Sequence, residues 1–261
     1  MVVVITGASS GIGLAMGKML TEKGFTVIGL SRNPKTDASF VGKTCDVTDF
    51  QAVETAFNQI KEEYGKIDVL INNAGMGIAG AIEHTLSQDL DKQFALNVMA
   101  VINACKCITP IMRSQGGGKV INIGSVAGVI PIPFQTAYAT TKSAVDMFSM
   151  SWGLEVKDFG IKVSVVMPGD TKTGFTANRI KNEVLEDENY KARVSKSIQR
   201  MERDEQNGKP PESVAKVVLK IIKKKNPPSR VTVGFGYKCI VLLQKLLPRR
   251  VMLWVVKKLY G

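Results

Sequence analysis

The sequence predicts an α/β fold: a Rossmann-type doubly wound parallel sheet with helices on both faces, followed by a basic, apolar C-terminal helical extension. Three observations carry that prediction. Short runs rich in Val and Ile alternate with longer segments of helical periodicity, the pattern of strands linked by crossover helices. The first run meets a glycine-rich turn that opens onto a helical pattern. The strand-like runs are apolar at nearly every position, as strands covered on both faces require.

Taken in order, residues 2–6 read as a buried strand, Gly7-Ala8-Ser9-Ser10-Gly11 as a turn and residues 12–22 as the first helix, which Gly24 ends. Residues 25–30 form the second strand. Val53, Phe57 and Ile60 share one side of an amphipathic helix over 49–64. A short strand at 67–71 closes on Asn72-Asn73-Ala74-Gly75. A long helix over 90–112 leads to a strand at 119–124, and a helix over 138–159 leads to a strand at 161–167. Residues 176–209 are the most polar stretch and predict a helical excursion closing over a crevice. A helix over 214–225 is ended by Pro227-Pro228, and 230–233 is the last strand. Right-handed crossovers then set the C-terminal ends of the strands along one crevice edge.

At 261 residues and 44% hydrophobic composition the chain suits one large domain with a substantial core. Residues 1–236 read as a single catalytic domain with a variable substrate-lid segment at 174–210, and 237–261 as a basic amphipathic extension. Cys45, Cys105, Cys107 and Cys239 have no metal-ligand spacing and read as buried or incidental thiols in a reducing compartment. A single histidine, His84, reads as a surface residue, which weighs against a His-based zinc site and a Ser-His-Asp triad, and no metal is expected. The N-terminus has neither the basic nor the long apolar region of a signal peptide, and no apolar run approaches the ~20 residues of a membrane span. A cytoplasmic location is expected, with peripheral attachment to the cytoplasmic face of a membrane as the open variant.

The turn from Gly7 through Ser9, Ser10, Gly11, Ile12 and Gly13 lies between a strand and a helix. Glycines there permit a tight bend and a close approach of backbone to a diphosphate, whose charge the helix N-terminus favours. No Gly-Lys-Ser/Thr follows, so it is not a P-loop. At the end of the second strand, Ser31 supplies no carboxylate for a ribose 2′-hydroxyl, whereas Arg32 matches a 2′-phosphate. NADP(H) is therefore expected over NAD(H).

Tyr138 and Lys142 are four apart on a predicted helix and face one site. A phenol is a poor base at neutral pH, and a nearby ammonium favours its phenolate; Tyr138 would then take or give the proton of an alcohol–carbonyl pair. Ser125, just past a strand end, is placed to donate a hydrogen bond to the substrate oxygen.

These residues, together with Asp46-Val47, Asn72-Asn73-Ala74-Gly75, Asn97, Tyr138-Ala-Thr-Thr-Lys142 and Pro168-Gly169 with Thr173, resemble the short-chain dehydrogenase/reductase family in order and spacing over residues 6–173. The resemblance implies that Asp46 bonds the adenine ring, that Asn73, Ala74 and Gly75 line the nucleotide, and that Pro168, Gly169 and Thr173 hold the carboxamide side of the nicotinamide. It also implies that Lys142 bonds the nicotinamide ribose and that Asn97 supports a water linking Lys142 to solvent. Thr171 departs from the branched aliphatic common in that loop. Hydroxysteroid and related lipid dehydrogenases are among the members it points to, and members usually pair as dimers or tetramers through the two helices at 90–112 and 138–159. Val98, Val101, Ile102, Met147, Phe148 and Met150 are the apolar positions on these helices beyond one buried stripe.

Pocket walls are expected from residues 77–82, 126–135 and 175 onward. Val129, Ile130, Ile132 and Phe134 make one wall strongly apolar, which favours a lipophilic alcohol or ketone such as a steroid, retinoid or long-chain carbonyl compound. Two alternatives stay open: a cofactor-binding regulatory or scaffolding protein without turnover, and an NAD-preferring dehydrogenase of a small polar alcohol. The net charge of +12 is carried by the end of the chain, since residues 213–261 hold 12 Lys and Arg and no acidic residue. Without zinc spacing or an RNA-binding motif no nucleic-acid partner is expected; contact of the extension with an anionic membrane is.

Overall fold

Val2–Thr6 (β1) is buried along its whole length and lies inside the sheet, between two other strands, because it offers apolar side chains to both faces. The computed structural model describes residues 1–35, 39–182 and 187–260. The other strands are Thr26–Ser31 (β2), Val41–Thr44 (β3), Val69–Asn72 (β4), Ile78–Gly80 (β5), Gly118–Ile123 (β6), Ile161–Met167 (β7), Ile180–Asn182 (β8) and Arg230–Thr232 (β9). Seven of them form one parallel sheet in the order β3-β2-β1-β4-β6-β7-β9, while β5 and β8 pair separately. β1 and β4 are neighbours although β2 and β3 intervene in sequence, so the winding reverses there and a crevice opens at their C-terminal ends.

The helices are Gly11–Glu22 (α1), Phe50–Tyr64 (α2), Ser87–Phe94 (α3), Ala100–Ser114 (α4), Thr136–Glu155 (α5), Lys191–Gln206 (α6), Glu212–Lys223 (α7), Phe235–Leu246 (α8) and Arg249–Tyr260 (α9). Two core layers flank the sheet. Val2, Val4, Ile28, Leu70 and Val120 pack with Phe57 and Ile60 of α2, Ile108 and Met112 of α4 and Trp152 of α5. Val3, Ile5, Val27, Ile71 and Ile121 pack with Met16 and Leu20 of α1 and Val214, Val218 and Ile221 of α7. Successive strand residues thus alternate between two apolar layers, the reason the sequence shows continuous apolar runs.

Local signals set the helix ends. Asp49 caps α2, its carboxylate accepting from the backbone N–H of Gln51 at 2.9 Å and Ala52 at 3.2 Å, and Gly65 ends it with φ +78°. At α1 the Ser10 side chain makes no capping hydrogen bond, which leaves the first-turn N–H groups facing the crevice. Lys119 donates to the carbonyls of Ile222 and Lys224, tying the end of α7 to the sheet.

The structure corrects several expectations. Three short strands, β3, β5 and β8, carry no clear sequence signal; Ile180–Asn182 interrupts what reads as a helical excursion, and Lys191–Gln206 is its helical part. The lid segment 174–210 includes residues 183–186, outside the described residues. The long helix begins earlier, at Ser87, and contains a π-helical turn at Ala95–Met99. By length and composition the stretch Ser87–Ser114 suffices to cross a membrane, against expectation, but Ala104, Cys105, Ile108 and Met112 bury its apolar side in the core. Val101 is likewise in the core rather than at a free surface.

Candidate active site

A cavity of about 890 Å³ runs along the C-terminal ends of β1, β2, β4, β6 and β7 and collects the turns that follow them. Its walls include Gly7, Ser9, Ser10, Gly11, Ile12, Ser31, Arg32, Asp46, Val47, Asn73, Ala74, Gly75, Ser125, Tyr138, Lys142, Pro168, Gly169, Thr171 and Thr173. Gly13 is buried behind the turn instead: a Cβ there would meet the Gly7 carbonyl oxygen at 2.2 Å and Asn73 Nδ2 at 2.6 Å. Gly7 and Gly11 hold φ of +66° and +51°, which side chains with a Cβ rarely adopt. Asn73 clamps the turn, Nδ2 donating to the carbonyls of Thr6 at 3.0 Å and Gly7 at 3.1 Å. Thr6 Oγ1 accepts from the backbone of Asn73 and Ala74. A glycine-floored cradle against an uncapped helix N-terminus fits the diphosphate of a dinucleotide.

Farther along, Ser31 is buried while Arg32 is exposed at the cavity wall. The Asp46 carboxylate accepts from Thr48 N at 2.9 Å and Thr48 Oγ1 at 2.7 Å. These bonds hold it below the usual carboxylate range, with Arg32 adding a smaller push. Thr171 Oγ1 donates to the Gly169 carbonyl at 2.9 Å, so it braces the Pro168-Gly169 loop by a hydrogen bond where an aliphatic would pack. Thr173 Oγ1 accepts from Phe175 N at 3.2 Å.

Tyr138 and Lys142 stand one turn apart on α5, with Lys142 Nζ 5.8 Å from the Tyr138 ring centre. Lys142 is buried and donates to the Ile123 carbonyl at 2.9 Å; burial pushes its ammonium down to about 8. Tyr138 faces the cavity, but the protein encloses its phenol. The expectation of a lowered tyrosine pKa is reversed here: burial pushes it up to about 12, opposed by a hydrogen bond with Ser125. The nearby ammonium is itself stripped of solvent, and its hydrogen bond goes to the Ile123 carbonyl. Ser125 begins the turn Val126–Gly128, its Oγ accepting from Ala127 N at 3.1 Å. Its hydroxyl also meets the Tyr138 phenol, so the two oxygens stand side by side at the cavity wall.

Asn97 lies in the π turn. Its Nδ2 donates to the Met76 carbonyl at 2.9 Å and to Thr141 Oγ1 at 3.1 Å, and its Oδ1 accepts from Met76 N at 2.9 Å. The amide therefore locks the loop after β4 to α5, bringing Asn97 beside Gly75 and Lys142. A π turn re-aims one side chain out of helical register, a common device at functional sites.

On the substrate side the expected walls are only partly realised. Ile132, Ala127 and Val126 reach the cavity, but Val129 and Ile130 pack under Val241 of α8, and Phe134 packs with Val194, Ile198 and Met201 of α6. Of residues 77–82 only Gly77 faces the cavity, because β5 turns Ile78 and Ala79 into the core. Phe175 and Ile180 line the cavity as expected from residue 175 onward, Phe175 lying 5.6 Å from the Tyr138 ring, and Met76 and Met201 complete the apolar lining.

Sequence reasoning missed two carboxylates in the wall, Asp170 and Glu205. Glu205 pairs with the buried Arg179 and accepts from Thr176 Oγ1 at 2.6 Å. Asp170 bonds the Tyr237 hydroxyl, and burial raises its pKa. Asp170 had a readable position, next to Pro168-Gly169; Glu205 had none, since only the packing of α6 brings it there. His84 is a surface residue, as expected: its ring bonds Asp187 at 3.0 Å and lies edge-on to Tyr190, tying the turn at Ile82–His84 to the segment before α6.

A family model described as short chain dehydrogenase matches residues 1–184. The chain is 43% identical over 238 residues to the 3-ketodihydrosphingosine reductase of Bacteroides thetaiotaomicron, covering 89% of this chain and 87% of that protein. A solved short-chain dehydrogenase from Streptomyces avermitilis superposes with a TM-score of 0.83 at 30% identity, covering 98% of this chain and 96% of that one. The same fold recurs at 23% identity and TM-score 0.80 in a Burkholderia phymatum protein solved with NAD, covering 93% of this chain and 92% of that one.

Proposed function

From the premise that the chain belongs to the short-chain dehydrogenase/reductase family, and is thereby an oxidoreductase using a nicotinamide cofactor, we propose that it reduces a long-chain ketone with NADP(H). A 3-ketosphingoid base is the first substrate to test. The observation that carries the substrate reading is the mixed wall beside Tyr138 and Ser125: Met76, Ile132, Phe175, Ile180 and Met201 suit an alkyl chain, while Asp170 suits a polar head. The similarity to a 3-ketodihydrosphingosine reductase supports the same class.

A bound nicotinamide supplies the hydride. Gly7–Gly13 would hold its diphosphate, Asp46, Val47 and Asn73–Gly75 its nucleoside, and Pro168, Gly169 and Thr173 its carboxamide side. Ser125 then holds the carbonyl oxygen by donating its proton. Tyr138, protonated across the neutral range, delivers a proton to that oxygen as its negative charge develops. Lys142, near 8, can give up and regain a proton close to operating pH and so replenish the phenol. Asn97 positions Lys142 by fixing Met76 and Thr141. Arg32 supports NADP(H), because a charge-assisted contact to a 2′-phosphate is worth roughly 1.5–3 kcal/mol, or about 10–150-fold in specificity.

Steady-state kinetics with NADPH and NADH against 3-ketodihydrosphingosine, an amine-free long-chain ketone and short polar ketones tests both parts. NADPH is expected to win by the factor above, S31D/R32A to erode it, and the long-chain amino ketone to give the highest kcat/KM. Equal use of the two cofactors overturns the NADP(H) assignment, and preference for short polar ketones replaces the substrate reading with that of a small-alcohol dehydrogenase.

A homodimer or homotetramer is part of this reading. Phe94, Met99, Met147 and Leu154 are exposed on the surface formed by α3, the π turn and α5, and a second copy would cover them. Light scattering at micromolar concentration is expected to show an oligomer that M147E/L154E dissociates. A monomer in the unaltered protein would defeat it.

A further inference from the structure

We propose that the outer face of the α8–α9 hairpin is a docking surface for an anionic lipid bilayer, which sets one wall of the catalytic cavity within a helix's thickness of the membrane. The hairpin is held to the body by few residues. On α8, Tyr237, Val241 and Gln244 form one stripe: Tyr237 bonds Asp170, Val241 packs with Val126 and Met167, and Gln244 Nε2 donates to the Val129 carbonyl at 2.7 Å. On α9, Val256 is buried, and Tyr260 reaches the cavity wall under Arg200.

A helix covered on one side by a protein ordinarily turns polar residues to water. Here the uncovered side is apolar as well: Phe235, Leu242, Leu243, Leu246, Trp254 and Leu259 are between 47% and 80% exposed. Each helix has 12 residues, so each is about 18 Å long and too short to span a bilayer, but long enough to lie in its surface.

The charge identifies the occupant. Lys238, Lys245, Arg249, Arg250, Lys257 and Lys258 are exposed on the same two helices, Lys258 Nζ standing 4.4 Å from the Trp254 ring centre, and no acidic residue follows Glu212. A face built to meet a second copy of itself would gain by mixing signs, since like charges facing one another across a two-fold axis repel. A surface of one sign that carries leucines and a tryptophan is complementary to anionic headgroups above acyl chains. Because Tyr260 and Asp170 belong both to the hairpin's seat and to the cavity wall, a docked hairpin lies between that wall and the lipid, one helix about 10 Å thick. The docking proposal is independent of the substrate reading, and its test uses no substrate.

The test is flotation of the full chain with phosphatidylglycerol-containing and with pure phosphatidylcholine vesicles, together with tryptophan emission. The other tryptophan, Trp152, is buried on Phe148, so a shift reports Trp254. Flotation with the anionic vesicles only, lost at high salt, is expected, with a blue shift. L246E/W254E and R249E/R250E are each expected to weaken it at least about tenfold, with turnover of a water-soluble ketone unchanged. No flotation with anionic vesicles at low salt overturns the proposal, as does equal flotation of both variants. If the variants instead break an oligomer of a protein that does not float, the face belongs to a second copy.

Discussion

Tyr138→Phe is expected to lower kcat by about 10²- to 10⁴-fold while leaving the fold and cofactor affinity intact. The ring keeps its place against Phe175 and beside Lys142, so packing survives; only the exchangeable proton is lost. Ser125 would still hold a carbonyl oxygen, but neighbouring Thr141 cannot stand in for the phenol, because its Oγ1 donates its proton to the Tyr138 carbonyl at 2.7 Å. Single-turnover reduction with saturating cofactor checks this, and retention of more than about a tenth of kcat would remove Tyr138 from the acid–base role. The pH profile gives a second readout. With the phenol at about 12 and Lys142 near 8, the ammonium is present below about pH 8 and lost above it. Reduction is expected to hold through neutral pH and fall above 8 as Lys142 loses its charge, while Tyr138 stays protonated throughout. A profile flat to pH 10 would show that the Lys142 charge is not needed.

Gly13→Ala is expected to have the other large effect, on cofactor binding. The added Cβ would sit 2.2 Å from the Gly7 carbonyl oxygen and 2.6 Å from Asn73 Nδ2, far inside van der Waals contact. Neither neighbour is a loose side-chain end: one is backbone at φ +66°, and the other is fixed by two hydrogen bonds to that backbone. Relief must therefore come from the turn itself, at a typical overpacking cost of about 1–3 kcal/mol. Displacing it withdraws the N–H groups that would meet the diphosphate. Titration is expected to show cofactor affinity reduced at least about tenfold, with a lower Tm, whereas Gly236→Ala, where a Cβ meets nothing within 4 Å, should change neither. Unchanged affinity in Gly13→Ala would mean that this turn does not carry the diphosphate.

The sequence by itself determined the sheet strands that are buried on both faces, the crevice at their ends and the residues meant to meet there. Each of those signals is local: an apolar run, a glycine turn before a helix, or a Tyr and a Lys one helical turn apart. Every cofactor residue read from the sequence lines the cavity except Gly13, which supports the turn from behind. What the sequence did not give is the part built by pieces far apart in the chain. The short strands β5 and β8 exist only through their mutual pairing across about 100 residues, so neither has a pattern of its own. Glu205 and Met201 of α6 reach the cavity because that helix packs on Phe134, which removes Phe134 from the wall it was expected to form.

Only the tertiary structure decided the proton balance. Sequence proximity favoured a tyrosine acidified by its lysine, but both groups are buried. Desolvation penalises the charged form of each, driving the phenol up and the ammonium down. Burial also divided the apolar segments. It set Val129 and Ile130 beneath Val241 and left the leucines of α8 and α9 uncovered, a distinction that hydropathy alone cannot make because both sets of side chains are equally apolar.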